Sequence, residues 1–309
     1  MIFNLSKTFI SSVAPQKLSD LIVKIVHGEH FLKIEAESEE DLLNAVLGNA
    51  SSSDKELFEK YITFGMSATV EIQTYFTTVS DISYTYDQLI LLAGSPSMVL
   101  MENLREWDVY KSMLTEYCSD VVFGNVYKLL LSAVNDMNRI VPRQSGGAGD
   151  MLNLLDSISA LGYASVLKEK VVVIIDRDTN SPNTFKDDNK KLLVRLSGKP
   201  YRSVNNGDIY SLAQPNHVWH MWYRREIENY FPDSSFRTIG KTLKPGKSLF
   251  EKNYYANVEE YYSYKKNNLK KLAAVTTRSD YEKGLQHFII NGIEMDEIQL
   301  LLLKMVKII

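Results

Sequence analysis

The stretch "VVVIIDRD", residues 171–178, decides the fold, because five consecutive β-branched residues run directly into two aspartates one residue apart. A strand without polar alternation has both faces covered, as in a parallel sheet that is flanked by helices. In open parallel sheets, functional groups lie beyond the carboxyl ends of the strands. The stretch therefore predicts a buried central strand that delivers Asp176 and Asp178 to the functional edge of such a sheet.

Predicted strands and helices alternate along the chain on both sides of this strand. "SMVLME", residues 97–102, is typical of a short apolar strand. Helical spacing of apolar residues, with caps and stops, predicts helices at 103–117, at 150–164 after the glycine-rich turn "SGGAGD", at 187–198, and at 216–231. This alternation of strand and helix implies the fold class α/β, with a Rossmann-like parallel sheet flanked by helices and right-handed crossovers.

The chain is predicted to divide into three parts. Residues 93–233 form the parallel-sheet domain, between an N-terminal α+β module (1–92) and a helical C-terminal extension (234–309). The elements predicted in the outer parts are a strand at 30–38, helices at 38–48 and 51–65, a strand or hairpin at 68–86, a basic aromatic helix at 258–273, and a final helix at 297–309. The final helix, "EIQLLLLKMVKII", has a broad apolar face that suggests docking within the chain or on another subunit.

Composition narrows the classes of protein that the chain can represent. The net charge of −3 gives no global basic signature, so nucleic acid would have to bind through a local patch. A single cysteine, Cys118, excludes an internal disulfide framework, and its acidic surroundings offer no catalytic context. The N-terminus lacks the apolar core of a secretory signal, and no apolar run approaches the length of a membrane span. We therefore expect a cytoplasmic protein without membrane contact.

Acidic side chains follow two of the predicted strands. Glu102 ends "SMVLME", and Asp176 and Asp178 would share one face of an extended chain. Carboxylates brought together repel each other unless a cation neutralises them, and hard oxygen ligands suit Mg²⁺ or Mn²⁺. Such a site would serve phosphoryl transfer. The alternative is that the aspartates form an Asx-turn or a helix N-cap.

Four segments, in order, resemble the TOPRIM domain of OLD-type nucleases. They are "SMVLMENLREWDVY" (97–110), "SGGAGDMLNLLDSI" (145–158), "VVVIIDRDTN" (171–180) and "YRREIENYF" (223–231). The resemblance covers less than half of the chain. Two positions depart from the family pattern, because Asn103 replaces the usual glycine and Glu106 replaces the usual aspartate.

The resemblance implies a nuclease that cleaves DNA or RNA with Mg²⁺ or Mn²⁺, and a role in antiviral defence beside an ATPase. The implied catalytic residues are Glu102, Asp176, Asp178 and Glu228, with Glu226 as the second choice for the last; the implied metal ligands are Glu102, Glu106, Asp176 and Asp178. "GKTLKPGKS" (240–248) lacks P-loop spacing, so the ATPase, of the ABC or SMC type, would be a partner chain. A catalytically inactive binding or sensor subunit is the alternative, and homo-oligomerisation stays open.

Substrate contacts are predicted from cations near these motifs. Arg224 and Arg225 either bind phosphate or pair with the neighbouring glutamates. Lys265 and Lys266 follow a run of tyrosines, a combination that holds single strands by stacking and charge, although a tyrosine packing face with solvated lysines is favoured. The histidines carry weaker signals: a turn with exposed side chains is predicted for "HGEH" (27–30) and a partly buried helix for "HVWH" (217–220).

Overall fold

The computed structural model describes residues 1–34, 53, 56, 75–136, 139–160, 166, 168–214, 216–249 and 253–309. The helix predicted at 38–48, most of the helix at 51–65, residues 68–74 of the strand or hairpin at 68–86, and the end of the helix at 150–164 lie outside these residues. No helix in the described part is long and apolar enough to cross a bilayer.

The N-terminal part contains a three-stranded parallel sheet in the order β2-β1-β3. Its described elements are β1 (Ile2–Leu5), α1 (Lys7–Ser12), α2 (Pro15–His27), β2 (Phe31–Ile34), β3 (Thr78–Ser80) and α3 (Tyr86–Gly94). Pro15 opens α2, where its missing N–H costs nothing, and Gly28 ends it. The strand predicted at 30–38 is confirmed over Phe31–Ile34.

The second sheet is four-stranded, fully parallel and ordered β5-β4-β6-β7. Its strands and helices are β4 (Ser97–Met101), α4 (Glu106–Tyr117), α5 (Gly124–Val134), β5 (Ile140–Gln144), α6 (Ala148–Ala160), β6 (Val171–Ile175), α7 (Lys190–Ser197), α8 (Asn206–Ile209) and β7 (Val218–Met221). Every residue of β6 is buried, as its unbroken β-branched run predicts. A mixed α/β architecture with a parallel sheet and flanking helices is therefore confirmed.

The predicted helix at 216–231 is wrong. The chain forms strand β7 there, paired with β6 from Val172 to Ile175, and then a 3₁₀ turn at Ile227–Tyr230. All four residues of β7 are buried, and a short apolar run of this kind does not distinguish a strand covered on both faces from a buried helix. Strand β5 includes Pro142, which is tolerated because β5 is an edge strand.

The C-terminal extension is helical only in part. Its elements are α9 (Asp233–Thr238), α10 (Val258–Tyr261), α11 (Leu269–Val275), α12 (Arg278–Tyr281), β8 (His287–Ile290), β9 (Ile293–Asp296) and α13 (Glu297–Lys307). The single helix predicted at 258–273 is wrong, because an extended break with a 3₁₀ turn at Lys266–Asn268 separates α10 from α11. The final helix is confirmed, and its apolar face packs within the chain on α5 and β7.

Candidate metal centre

Three parallel strands bring acidic side chains to one edge of the sheet. Glu102 follows β4 and Asp176 follows β6, whereas Glu228 lies in the 3₁₀ turn after β7 and Glu226 caps the start of that turn. Because β4, β6 and β7 are hydrogen-bonded neighbours, their carboxyl ends meet. Glu106 joins them from the first turn of α4.

The tightest group consists of Asp176, Glu226 and Glu228. One carboxylate oxygen of each lies within 4.8 Å of the other two, which is a spacing that one metal ion can bridge. Local hydrogen bonds fix this arrangement, since Asp176 Oδ1 accepts from the backbone N–H of Ile227 at 3.3 Å. The Asp176 and Glu228 side chains are 3% and 1% exposed, so the charges of their ionised forms lie in the interior.

The ammonium of Lys266 lies close to all three carboxylates. Its nitrogen lies 3.6 Å from Asp176 Oδ2, 3.9 Å from Glu226 Oε2 and 3.9 Å from Glu228 Oε1. Burial lowers the pKa of Lys266, but the attraction of Asp176 and Glu228 outweighs it and raises the pKa overall. One ammonium does not neutralise three carboxylates, and therefore the group keeps an excess of negative charge.

The excess charge is reflected in the pKa values of the acids. Burial, with the repulsion of the other carboxylates, raises the pKa of Glu228 to about 8, of Glu226 to about 7 and of Asp176 to about 6. Burial also raises the pKa of Glu102 to about 8, and Asp176 and Asp178 add to it. These carboxylates therefore repel one another in their ionised forms, and a divalent cation would relieve that repulsion.

Two buried carboxylate oxygens have no hydrogen-bond partner among the described residues. They are Glu106 Oε1 and Glu228 Oε2. The other oxygen of each is bonded, Glu106 Oε2 by the Tyr110 hydroxyl at 3.0 Å and Glu228 Oε1 by the Tyr264 hydroxyl at 3.4 Å. Buried carboxylate oxygens are rarely left unsatisfied, so these two atoms are candidates to bind a cation.

Asp178 differs from the extended-chain prediction. Strand β6 ends at Ile175, and Asp178 adopts a left-handed backbone with φ of 57°, held by its N–H donation to the Arg225 carbonyl at 2.9 Å. Its carboxylate pairs with Lys186 at 3.2 Å and does not belong to the group of three. A left-handed aspartate is a mildly strained conformation of the kind that concentrates at functional sites.

Arg177 between the two aspartates has a structural role that the sequence did not reveal. Its fully buried guanidinium donates to the carbonyls of Trp222 and Pro182, at 2.9 and 2.7 Å, and to the Tyr210 hydroxyl at 2.9 Å. These bonds tie the loop after β6 to the chain that leaves β7. Arg177 therefore fixes the backbone on which Asp176 and Asp178 stand.

The predicted substrate-binding cations have different environments. Arg224 is buried between Tyr230 and Tyr254 and donates to the carbonyls of Asn229, Lys283 and Gly284, so its guanidinium holds the fold instead of facing a phosphate. Arg225 is partly exposed and donates to Asn180 Oδ1 at 2.9 Å. Lys265 is exposed, whereas Lys266 lies within the carboxylate group.

The tyrosines before these lysines mainly pack. Tyr262 and Tyr264 are buried against Phe236, and Tyr262 donates to Asp233. The packing alternative therefore applies to these two side chains. Tyr264 also touches Glu228, which makes it a support for the carboxylate group.

Neither pair of histidines contributes to the carboxylate group. His220 lies on β7, not on a helix, and its Nε2 is 3.1 Å from Glu297 Oε1 on α13. His217 just precedes that strand. His30 is buried rather than exposed, because its ring packs beside Phe3 and Lys170.

No family model, no curated protein and no solved structure matches this chain. A function for this chain is therefore inferred from the chemistry of the carboxylate group.

Proposed function

We propose that the chain is a Mg²⁺- or Mn²⁺-dependent nuclease that hydrolyses phosphodiester bonds of DNA or RNA. The observation that carries the proposal is the group Asp176, Glu226 and Glu228, whose buried oxygens converge at the carboxyl edge of a parallel sheet. Residues 93–233 would be a TOPRIM-type catalytic domain, in keeping with the four sequence segments that resemble that family.

The donor atoms fit a hard divalent cation. Within the described residues the group consists of carboxylate oxygens, which is the ligand set that Mg²⁺ and Mn²⁺ prefer. Glu228 Oε2 and Glu106 Oε1 are buried and accept no hydrogen bond from the described residues, so both oxygens are free to bind a metal ion. When bound, the cation would supply a nucleophilic water and offset the negative charge that builds on the phosphate.

Different residues would bind the cation and orient the phosphate. Asp176, Glu226 and Glu228 would hold the cation, and Glu102, which follows the neighbouring strand β4, would complete the set. The partly exposed Arg225, whose charge acts on Glu226, would orient a phosphate against the cation, and Lys266 would offset the charge of the carboxylates. Asp178 holds Lys186 beside the same edge.

The setting of this activity is also a proposal. The resemblance to OLD-type nucleases favours a cytoplasmic effector of antiviral defence that works with an ATPase partner chain of the ABC or SMC type.

A second candidate function is a binding or sensor subunit that no longer cleaves. The position of Lys266 favours it, because the ammonium already lies within 4 Å of all three carboxylates. Asn103 and Glu106, which depart from the family pattern, agree with it. In that case the lysine is the permanent counter-ion of the group.

A cleavage assay on mixed DNA and RNA substrates, with Mg²⁺ or Mn²⁺, tests the proposal. Wild type is compared with Asp176→Asn, which removes one charge at nearly constant shape, and with Asp20→Asn, an exposed acid on α2, as the matched control. We expect wild type and Asp20→Asn to cleave and Asp176→Asn to lose at least about a hundredfold in rate. Equal cleavage by Asp176→Asn refutes the proposal, and metal binding without cleavage by wild type supports the second candidate.

A further inference from the structure

A second polar site lies at the opposite end of β6 from the carboxylates. It is a cavity of about 340 Å³ whose lining includes Lys24, His30, Gly94, Ser95, Arg139 and Lys170. Lys170 immediately precedes β6, Arg139 precedes β5, and His30 precedes β2, so the cavity gathers the amino ends of strands from both sheets. A five-residue strand spans about 17 Å, which separates this cavity from the carboxylate group.

Lys170 brings a buried positive charge to the lining of the cavity. Its side chain is 1% exposed, and its ammonium lies 3.1 Å from His30 Nε2. Within the described part of the chain, Lys170 forms no ion pair with a carboxylate. A buried ammonium with a single neutral partner leaves N–H donors unused, which is costly unless an acceptor enters the cavity.

Further donors point to the same space. His30 is buried, and its Nδ1 has no partner among the described residues. Arg139 is mostly buried and uses one guanidinium nitrogen on Glu29. Lys24 stands at the exposed mouth. Asp136 contributes a carboxylate to the lining.

The ends of two helices do not account for these cations. Helices α2 and α3 end beside the cavity, and helix C-termini attract positive charge. Backbone donors cap some of their last carbonyls, since the Gly28 N–H reaches the Lys24 and Val26 carbonyls and the Ser95 N–H reaches the Leu91 carbonyl. The His30 ring hydrogen-bonds the Ala93 carbonyl at the end of α3, but no carbonyl of either helix end binds the Lys170 ammonium among the described residues. The ammonium of Lys170 and Nδ1 of His30 therefore remain available to a ligand.

The pKa values agree with a shortage of negative charge. Burial, with the repulsion of Arg139, lowers the pKa of Lys170 to about 7. Burial and the repulsion of Lys170 likewise hold the pKa of His30 well below its usual range. An anion would reverse both effects, because an opposite charge favours the protonated forms.

We propose that this cavity binds a small phosphorylated molecule, with its phosphate against Lys170, His30 and Arg139. A phosphate offers several acceptor oxygens and up to two negative charges, which match one buried ammonium, one imidazole and one guanidinium. The cavity volume lies in the range of small-molecule sites and leaves room for an organic group beside the phosphate. This site does not depend on the proposed nuclease activity.

Thermal unfolding and calorimetric titration with adenosine monophosphate and with inorganic phosphate test the proposal. We expect adenosine monophosphate at about 10 mM to raise the melting temperature of wild type by several degrees, and inorganic phosphate to bind at least about tenfold more weakly. Lys170→Met should melt at or above the wild-type temperature without ligand, because it removes a buried charge, and should lose at least about tenfold in affinity. Lys191→Met, an exposed helix lysine, is the matched control and should bind as wild type does.

Three outcomes overturn the proposal. They are the absence of a shift or of binding heat with both probes, equal binding by Lys170→Met, and a strong loss of stability in Lys170→Met, which would make the ammonium a structural element. If inorganic phosphate binds as tightly as adenosine monophosphate, the ligand does not need an organic group beside the phosphate, and that part of the proposal is wrong. Asp176→Asn should bind as wild type does, so failure of the nuclease proposal leaves this test intact.

Discussion

Replacing the buried Glu228 by glutamine should make the protein more stable in the absence of divalent metal. Burial, reinforced by Glu226 and Asp176 and only partly offset by Lys266, raises the pKa of Glu228 from 4.5 to about 8. Each tenfold change in proton affinity corresponds to about 1.36 kcal/mol, so ionised Glu228 costs roughly 4 kcal/mol of folding free energy near pH 8. Glutamine keeps the shape and removes the charge.

The sign of the pH dependence follows from the direction of this pKa. A carboxyl group whose pKa is raised by folding binds its proton more tightly in the folded state, and therefore its stabilising contribution is complete below pH 4.5, declines as the pH rises above 4.5 and is lost as the pH passes about 8. We expect wild type to lose stability between pH 5 and pH 8 in chelator, with a shallower loss in Glu228→Gln. At pH 8 the variant should be more stable than wild type by about 2–4 kcal/mol, because the substitution removes one of the charges that repel each other in this coupled group.

Urea unfolding at pH 5, 6, 7 and 8, with chelator present, measures both effects. Asp20→Asn, which removes an exposed charge, should follow the wild-type curve within about 0.5 kcal/mol. A Glu228→Gln variant that is less stable than wild type at pH 8 would show that the carboxylate is a satisfied structural group. A wild-type stability that does not change with pH would contradict the mutual repulsion of the acids.

Three other substitutions probe the supports of the site. Lys266→Met removes the counter-ion of the carboxylates and should lower the free energy of unfolding by about 2 kcal/mol in chelator at pH 8, whereas exposed Lys265→Met should leave it unchanged. Glu297→Ala removes the acceptor of the Tyr230 hydroxyl and should cost about 3 kcal/mol in urea unfolding; a neutral effect would show that this buried network is dispensable. Gly198→Ala should lower stability by about 1–2 kcal/mol, because φ is +69° there; an unchanged melting temperature would contradict this.

The parts of the fold that could be predicted from sequence are those with a clear residue pattern. Strand β6 has five β-branched residues in a row, which favours a strand covered on both faces, and α4 shows helical spacing between clear boundaries. Strand β7 escaped prediction because "VWHM" is apolar all round and equally compatible with a helix. The β8–β9 hairpin did carry a signal, since Asn291-Gly292 between apolar residues is typical of a tight hairpin turn, and both residues adopt positive φ.

The sequence predicts which acids follow the strands at the candidate site, but it does not predict the side-chain contacts between distant parts of the chain. Asp176 and Glu228 follow from their places in sequence, and Glu226, the second choice, turns out to belong to the same tight group. Lys266 was expected to face substrate, because nothing in a lysine-rich stretch shows which ammonium folds back onto distant acids. The buried Lys170 is likewise invisible in sequence, since its burial depends on the packing of two sheets.

Calorimetric titration of Mn²⁺ and Mg²⁺ into the protein tests most directly whether the carboxylate group is a metal site. We predict saturable binding in the millimolar range or tighter for wild type and for Asp20→Asn, accompanied by a rise in melting temperature. Asp176→Asn should weaken that binding at least about tenfold, because it removes a buried ligand of the group. The absence of binding in wild type, or equal binding in Asp176→Asn, would contradict the assignment of Asp176, Glu226 and Glu228 as a metal centre.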